Sequence, residues 1–226
     1  MLSQSAEIHP VSRELDRAFL AELRGLVELA TADFERFEFA RVLQETESFF
    51  WSRFTDTYLE LAKARARSDE DAAGRGSAVA TLRLALSVLL RLFAPFLPYV
   101  SEELWSWCFA EESGRPSIHR AAWPGAADFQ AAPAPEDAAS FGRAVAALAA
   151  VNKAKADASV SIAREIEQLV LRGHPETLQA LAPVLADVLA ATRCQSHRLE
   201  PDPSLEKDGL EVGQAVFAER PAKAAG

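Results

Sequence analysis

Between Phe49 and Arg67 the chain reads FFWSRFTDTYLELAKARAR, its densest run of aromatic side chains, interleaved with ions. Phe49, Phe50, Trp51, Phe54 and Tyr58 supply ring faces. Arg53, Asp56, Glu60 and Lys63 stand among or beside them, and Lys63, Arg65 and Arg67 close the run with positive charge. Rings with cations and hydrogen-bonding groups alongside are what holding single-stranded nucleic acid requires, because bases stack on π-faces and phosphates need neutralising. At helical spacing Phe50, Phe54 and Tyr58 form one row, with Arg53, Asp56, Glu60 and Lys63 flanking it at steps of three and four. An aromatic row is also the ordinary inner stripe of a packed helix. The residues of this stretch alone leave both readings open.

Other chemistry is poorly represented. Cys108 and Cys194 are far apart, so no disulfide framework is expected, and a reducing cytoplasm is the expected compartment. His9, His119, His174 and His197 are scattered without metal-ligand spacing. Cys194 has His197 three residues on but no third orienting group. Glu102/Glu103 and Glu111/Glu112 fall near helix ends, where carboxylates are usually solvated. Gly-x-Ser-x-Gly, a dinucleotide fingerprint and a phosphate-loop Lys-Ser/Thr are all absent. The chain by itself is therefore expected to be non-catalytic, with no metal and no cofactor of its own.

The 226 residues, 49% hydrophobic and 25% charged, suit a globular protein with a sizeable core. The N-terminus does not read as a signal peptide. The longest apolar tract, Leu84 to Val100, is broken by Arg91, Pro95 and Pro98, which argues against a membrane span. A net charge of −9 would ordinarily argue against nucleic acid. From Lys63 to Arg91, however, Lys63, Arg65, Arg67, Arg75, Arg83 and Arg91 outnumber three acids.

The elements that would position this stretch are mostly helices. Ser12 is a candidate N-cap for a helix through Leu15, Phe19, Leu23 and Leu26 to about Ala32. A second helix, roughly thirty residues long by its periodicity, should run from near Glu35 into the basic tract. SDEDAAGRGS (Ser68 to Ser77) reads as a loop, and Ala78 to Phe93 as a central, nearly all-apolar helix ended by Pro95. Pro98 opens the next helix. An extended linker follows over 113–135, then a helix from Ala138 to about Ala156. Beyond Ser159 the pattern becomes strand (Glu165 to Leu171), helix (Pro175 to Thr192) and two weaker strands, Cys194 to Leu199 and Leu210 to Ala218, the latter interrupted by Gly213. The expected fold is mainly α: a helical bundle over 1–157, with a small C-terminal α/β appendage over 158–226 and a frayed tail.

Three segments together resemble one family, the anticodon-binding helical domain of class I aminoacyl-tRNA synthetases. FFWSRFTDTYLELAK is similar to the long-helix motif of the valine enzymes. LLRLFAPFLPYVSEELW (Leu89 to Trp105) resembles the helix–Pro–helix signature shared by the valine, isoleucine and leucine enzymes, and SIHRAAWPG (Ser117 to Gly125) the Ser-Ile…Trp-Pro segment that follows it. VNKAKADASVSI and EIEQLVLRG resemble the start of the small α/β unit of the valine enzyme, and the wording is closest to the actinobacterial type. Thr57 departs from the pattern, standing where the family usually has an aromatic or acidic residue.

The resemblance implies a tRNA-binding module that grips the anticodon stem-loop of a valine tRNA. Phe54 and Tyr58 would stack bases, while Arg53, Asp56, Glu60 and Lys63 would bond base edges. Arg65, Arg67, Arg83 and Arg91 would neutralise phosphates. Several of these have a structural alternative: Tyr58 and Phe50 as core, Asp56 and Glu60 as partners of neighbouring arginines, Arg91 paired with an acid across the bundle. With Met1 the one methionine and no two histidines close together, the family's two catalytic signatures have no place in this sequence. The chain then reads as a C-terminal region or a freestanding copy, without the family's coiled coil. ATP and magnesium belong to the catalytic domain, which would be a partner; the expected state is a cytoplasmic monomer, with no membrane. The competing readings are a helical protein–protein interaction module, or the same domain of an isoleucine- or leucine-type synthetase.

Overall fold

A computed structural model of the chain describes residues 10–219; His9, Met1 and the tail from residue 220 lie outside that range. The chain divides into two compact units, one up to Ala138 and one from Ala139 onward. The boundary falls before the helix that sequence periodicity assigns to the bundle.

In the first unit, α1 (Glu14–Glu35) turns all its large apolar residues but Leu29 toward neighbours, with Leu15, Phe19, Leu23, Leu26 and Val27 buried. Its cap differs from the sequence reading. Ser12 does not cap the helix; instead Ser77 Oγ, from another helix, accepts the N–H groups of Ser12 (2.9 Å) and Arg13 (3.1 Å). The backbone N–H groups of the two residues that lead into the helix are thus held by a long-range contact that no local pattern encodes.

The long second helix forms as three joined pieces: α2 (Phe39–Ser48), a π-helical segment (Phe49–Tyr58) and α3 (Leu59–Ala66). It starts later than its periodicity suggests because α1 continues to Glu35 and closes with a turn. α4 (Ala72–Phe93) starts earlier than expected: Asp71 caps it by accepting the Gly74 N–H at 2.8 Å. A side chain at Gly74 would meet the Asp71 carboxyl at 2.1 Å and the Arg65 stem at 3.0 Å, so the glycine belongs to the cap rather than to a loop.

Among the described residues, α4 is the one helix long and apolar enough to cross a membrane; half of that stretch is buried, with α1, α3 and α5 packed against it. α5 (Pro98–Cys108) follows the Pro95 break as its sequence predicts. It joins Leu90, Ala94, Trp105, Phe109 and Ile118 in a satellite core, locked by the Trp105 indole donating to Arg115 O at 2.9 Å. Glu102 belongs to this scaffold, accepting from Ser117 Oγ (3.0 Å) and Ile118 N (2.9 Å). A one-turn α6 (Ala110–Ser113) and two 3-10 turns, Ile118–Arg120 and Ala126–Phe129, complete the unit.

The second unit contains α7 (Ser140–Asp157), β1 (Ile166–Gly173), α8 (Pro175–Thr192), β2 (Cys194–Pro201) and β3 (Leu210–Phe217). The sheet order is β2-β1-β3, with β2 parallel and β3 antiparallel to β1. The register shifts between Val170 and Leu171, opposite Gln214 and Val212, which makes Gly213 the extra residue of a bulge. Lys155 is fully buried on α7, its ammonium donating to Ile162 O (2.7 Å) and Thr192 O (2.8 Å). Burial, with the Arg193 charge adding to it, lowers the Lys155 pKa. Cys194 and His197 stand three residues apart on a strand, hence on opposite faces, which removes the reactive pair.

Candidate nucleic-acid interface

The π-helical turn decides which side chains of the aromatic stretch reach solvent. Its bonding runs from i to i−5: Leu59 N–H donates to Phe54 O, and the Thr57 hydroxyl donates to Ser52 O at 2.7 Å. Residues five apart can therefore share a face as well as residues four apart: Phe49 with Phe54, and Phe54 with Tyr58. Phe49, Phe54 and Tyr58 turn inward. Trp51 and Asp56 turn outward, in line with Glu60, Lys63 and Arg67 of the next turns. Phe54 and Tyr58 of the expected row both pack on Phe19, and Phe50 stands at its edge, 6.1 Å from Phe54 between ring centroids. Phe50 is half-buried against Phe93, ring centroids 5.7 Å apart, and Phe49 takes its place in the core.

Tyr58 and Phe54 are thus core residues. Tyr58 has no exposed surface; its ring lies parallel to Phe19 at 4.0 Å, and its hydroxyl donates to Asp16 Oδ1 at 2.7 Å. Burial first, and then the Asp16 charge, push its pKa well above the ordinary phenol value. Phe54 is 6% exposed, 6.0 Å from Phe19. Neither ring presents a face to a base in this arrangement, so the outward placement expected of Phe54 is corrected.

The predicted cations separate in the same way. The Arg65 side chain, 9% exposed, forks onto Asp16 with two bonds of 2.7 Å, with a third to Gly74 O. Asp16, fully buried, also accepts from Ser77 Oγ at 2.6 Å, so one carboxylate ties α1 to the π-segment, α3 and α4. Arg91 is held by Asp128 at 2.5 Å and by the carbonyls of Ser87 and Ala122. Arg83 pairs with Glu112 and lies over the Phe109 ring at 5.5 Å. Arg53 forks onto Glu22 at 2.6–2.8 Å, with about a third of its side chain exposed. Arg65 and Arg91 are spent on the fold, Arg53 and Arg83 are half-committed, and Asp56, Glu60, Lys63 and Arg67 are exposed. Lys63 and Glu60 pair with each other on that surface, where such pairs contribute little.

Trp51, 55% exposed at the head of this line, is the group that α-helical periodicity passes over. The available signal is five-residue spacing: Trp51–Asp56 runs parallel to Phe49–Phe54. What results is a solvent-facing indole followed by two acids and then two bases along one helix flank, which can stack on a planar ligand and bond its edges.

A helical bundle with such a flank above the Asp16 network, followed by a three-stranded α/β unit, is the arrangement that the resemblance implies for the anticodon-binding region of a synthetase. The chain belongs to the family described as the anticodon-binding domain of tRNA ligase, whose family model matches residues 16–171. It is similar to the valine–tRNA ligase of Salinispora tropica, at 43% identity over 195 residues covering 80% of this chain and 22% of that protein. It is 45% identical to the valine–tRNA ligase of Thermobifida fusca over 163 residues, covering 72% and 18%. With that of Leifsonia xyli subsp. xyli the identity is 36% over 220 residues, covering 96% and 24%. The chain therefore spans about a quarter or less of the length of these curated relatives.

Proposed function

We propose that the chain is the tRNA-recognition module of a valine–tRNA ligase and that it grips the anticodon stem-loop of the valine tRNA. The observation that carries this reading is the outward line Trp51, Asp56, Glu60, Lys63 and Arg67, set on a helix whose inner face is immobilised by Phe19, Tyr58 and Asp16. Trp51 offers the stacking face. Asp56 and Glu60 accept from base amino groups, and Lys63 and Arg67 meet phosphates. The module serves ATP-dependent valylation by supplying affinity and orientation; ATP and magnesium are assigned to a catalytic domain and not to this chain. A cytoplasmic monomer is the state this role asks for.

A second reading, a helical module that binds a protein partner, draws on the pairing of Arg53, Arg65, Arg83 and Arg91 with acids, which leaves few cations for phosphate. A labelled valine anticodon stem-loop titrated at two salt concentrations separates the two. Binding that weakens with salt supports the RNA reading. No binding at low salt supports the other.

A further inference from the structure

The turn that ends α1 holds a residue that stability alone would not select. Phe37 has φ +62°, the left-handed region. Its N–H donates to Phe34 O (3.0 Å) and that of Glu38 to Asp33 O (2.9 Å), the paired bonds of a Schellman cap. Glycine is the usual occupant of that position because any Cβ there is strained. Here a phenylalanine takes it, and the ring is 78% exposed, touching only the edge of Phe39 among aromatic neighbours at 5.9 Å. The chain accepts backbone strain and a bare ring at one position, and an outlier of this kind points to use by something outside the fold.

The flanking residues indicate what. Arg36 and Arg41 both reach the buried carboxylate of Asp33, Arg41 at 3.4 Å, while about 60% of each side chain stays exposed. One carboxylate thus holds two guanidinium groups, one of them on Arg36, the residue before Phe37. Glu35 and Glu38 share the turn, so it does not favour a long run of phosphates. One base with its own phosphate fits a single ring face and a guanidinium pair.

We propose that Phe37 is a base-stacking residue, receiving one unpaired base of the tRNA, with Arg36 and Arg41 holding that nucleotide's phosphate. This rests on the tRNA-binding reading above and adds a contact at the opposite end of the α2–α3 run from Lys63 and Arg67.

The test uses the full chain and an unmodified valine tRNA transcript. Phe37→Gly places the preferred residue in the cap, so its melting temperature should rise while its affinity for the tRNA falls roughly 5- to 150-fold, the loss of one stacked base. Phe37→Trp should keep the affinity and Phe37→Leu should lose it. If the wild type binds and Phe37→Gly binds equally well, the assignment is overturned and the ring is left for a protein partner. If the wild type itself does not bind at low salt, the tRNA-binding reading fails and this assignment fails with it.

Discussion

Asp16 and Tyr58 lie 42 positions apart in the chain and meet at 2.7 Å in its interior, where one carboxylate receives a phenol, the Arg65 guanidinium and the Ser77 hydroxyl. Asp16 is thereby bonded at both oxygens. The network fixes the angle of the π-segment about its own axis, and with it the outward aim of Trp51 and Asp56. Two residues that look like RNA contacts in the sequence, Tyr58 and Arg65, are what holds the exposed flank in place.

Removing one partner should cost less than removing the hub. Tyr58→Phe deletes the bond to the charged Asp16 carboxylate and should destabilise the chain by about 1.5–3 kcal/mol. Asp16→Ala leaves the mostly enclosed Arg65 guanidinium without its carboxylate and should cost about 3–5 kcal/mol. Urea denaturation measures both. Under conditions where Tyr58→Phe is folded its tRNA affinity should match the wild type, since the ring is inaccessible; a large affinity loss with little loss of stability would place Tyr58 at the RNA after all.

Phe54 and Trp51 should behave as opposites. Phe54→Ala opens a cavity beside Phe19 and should cost about 3–5 kcal/mol of stability. Trp51→Ala should leave stability within about 1 kcal/mol, as surface changes do. It should also weaken tRNA binding by about 1–3 kcal/mol. Thermal melts and a binding titration on the two variants decide the matter, and a reversal of the pattern would mean that the inner and outer faces have been exchanged.

The cap of α4 gives an acid dependence. The bond from Gly74 N–H, with the Arg13 guanidinium alongside, holds the Asp71 carboxyl below the usual aspartate range. A lowered folded-state pKa means stability that is present at neutral pH and lost as the pH falls through the unfolded value, about 3.9, toward the folded one. Asp71→Asn should be less stable than the wild type at pH 7, and the gap should close as the medium is made strongly acidic. A gap that stays constant over that range would show that the charge of Asp71 contributes nothing.

The helices were legible where apolar spacing is regular and prolines mark their ends: Pro95 and Pro98 bracket the α4–α5 turn, and Pro175 opens α8. The sheet was legible in its strands, and Gly213 marked its own bulge. Three features were not legible, each for a local reason. A cap supplied from 64 or 65 residues away, as Ser77 supplies that of α1, leaves no neighbouring pattern. A glycine-bearing first turn reads as loop, which hid the start of α4. A π-turn adds a spacing of five to the usual four, so α-helical counting overlooked Trp51, while the base-stacking role of Phe54 came from the resemblance and not from its spacing. The candidate site residues taken up by the fold have partners distant in sequence: Asp16 for Arg65 and Tyr58, Phe19 for Phe54, Asp128 for Arg91.

The central claim is that the flank from Trp51 to Arg67 lies against tRNA, and neutralising its two exposed cations tests this most directly. Wild type and a Lys63→Gln/Arg67→Gln double variant would be titrated with valine tRNA across a salt series. The wild-type affinity should fall as a power of salt concentration. The double variant should bind more weakly, with a slope shallower by roughly 1.4–1.8, since each phosphate left without its cation removes about 0.7–0.9 from the slope. Identical slopes and affinities for the two proteins would contradict the account.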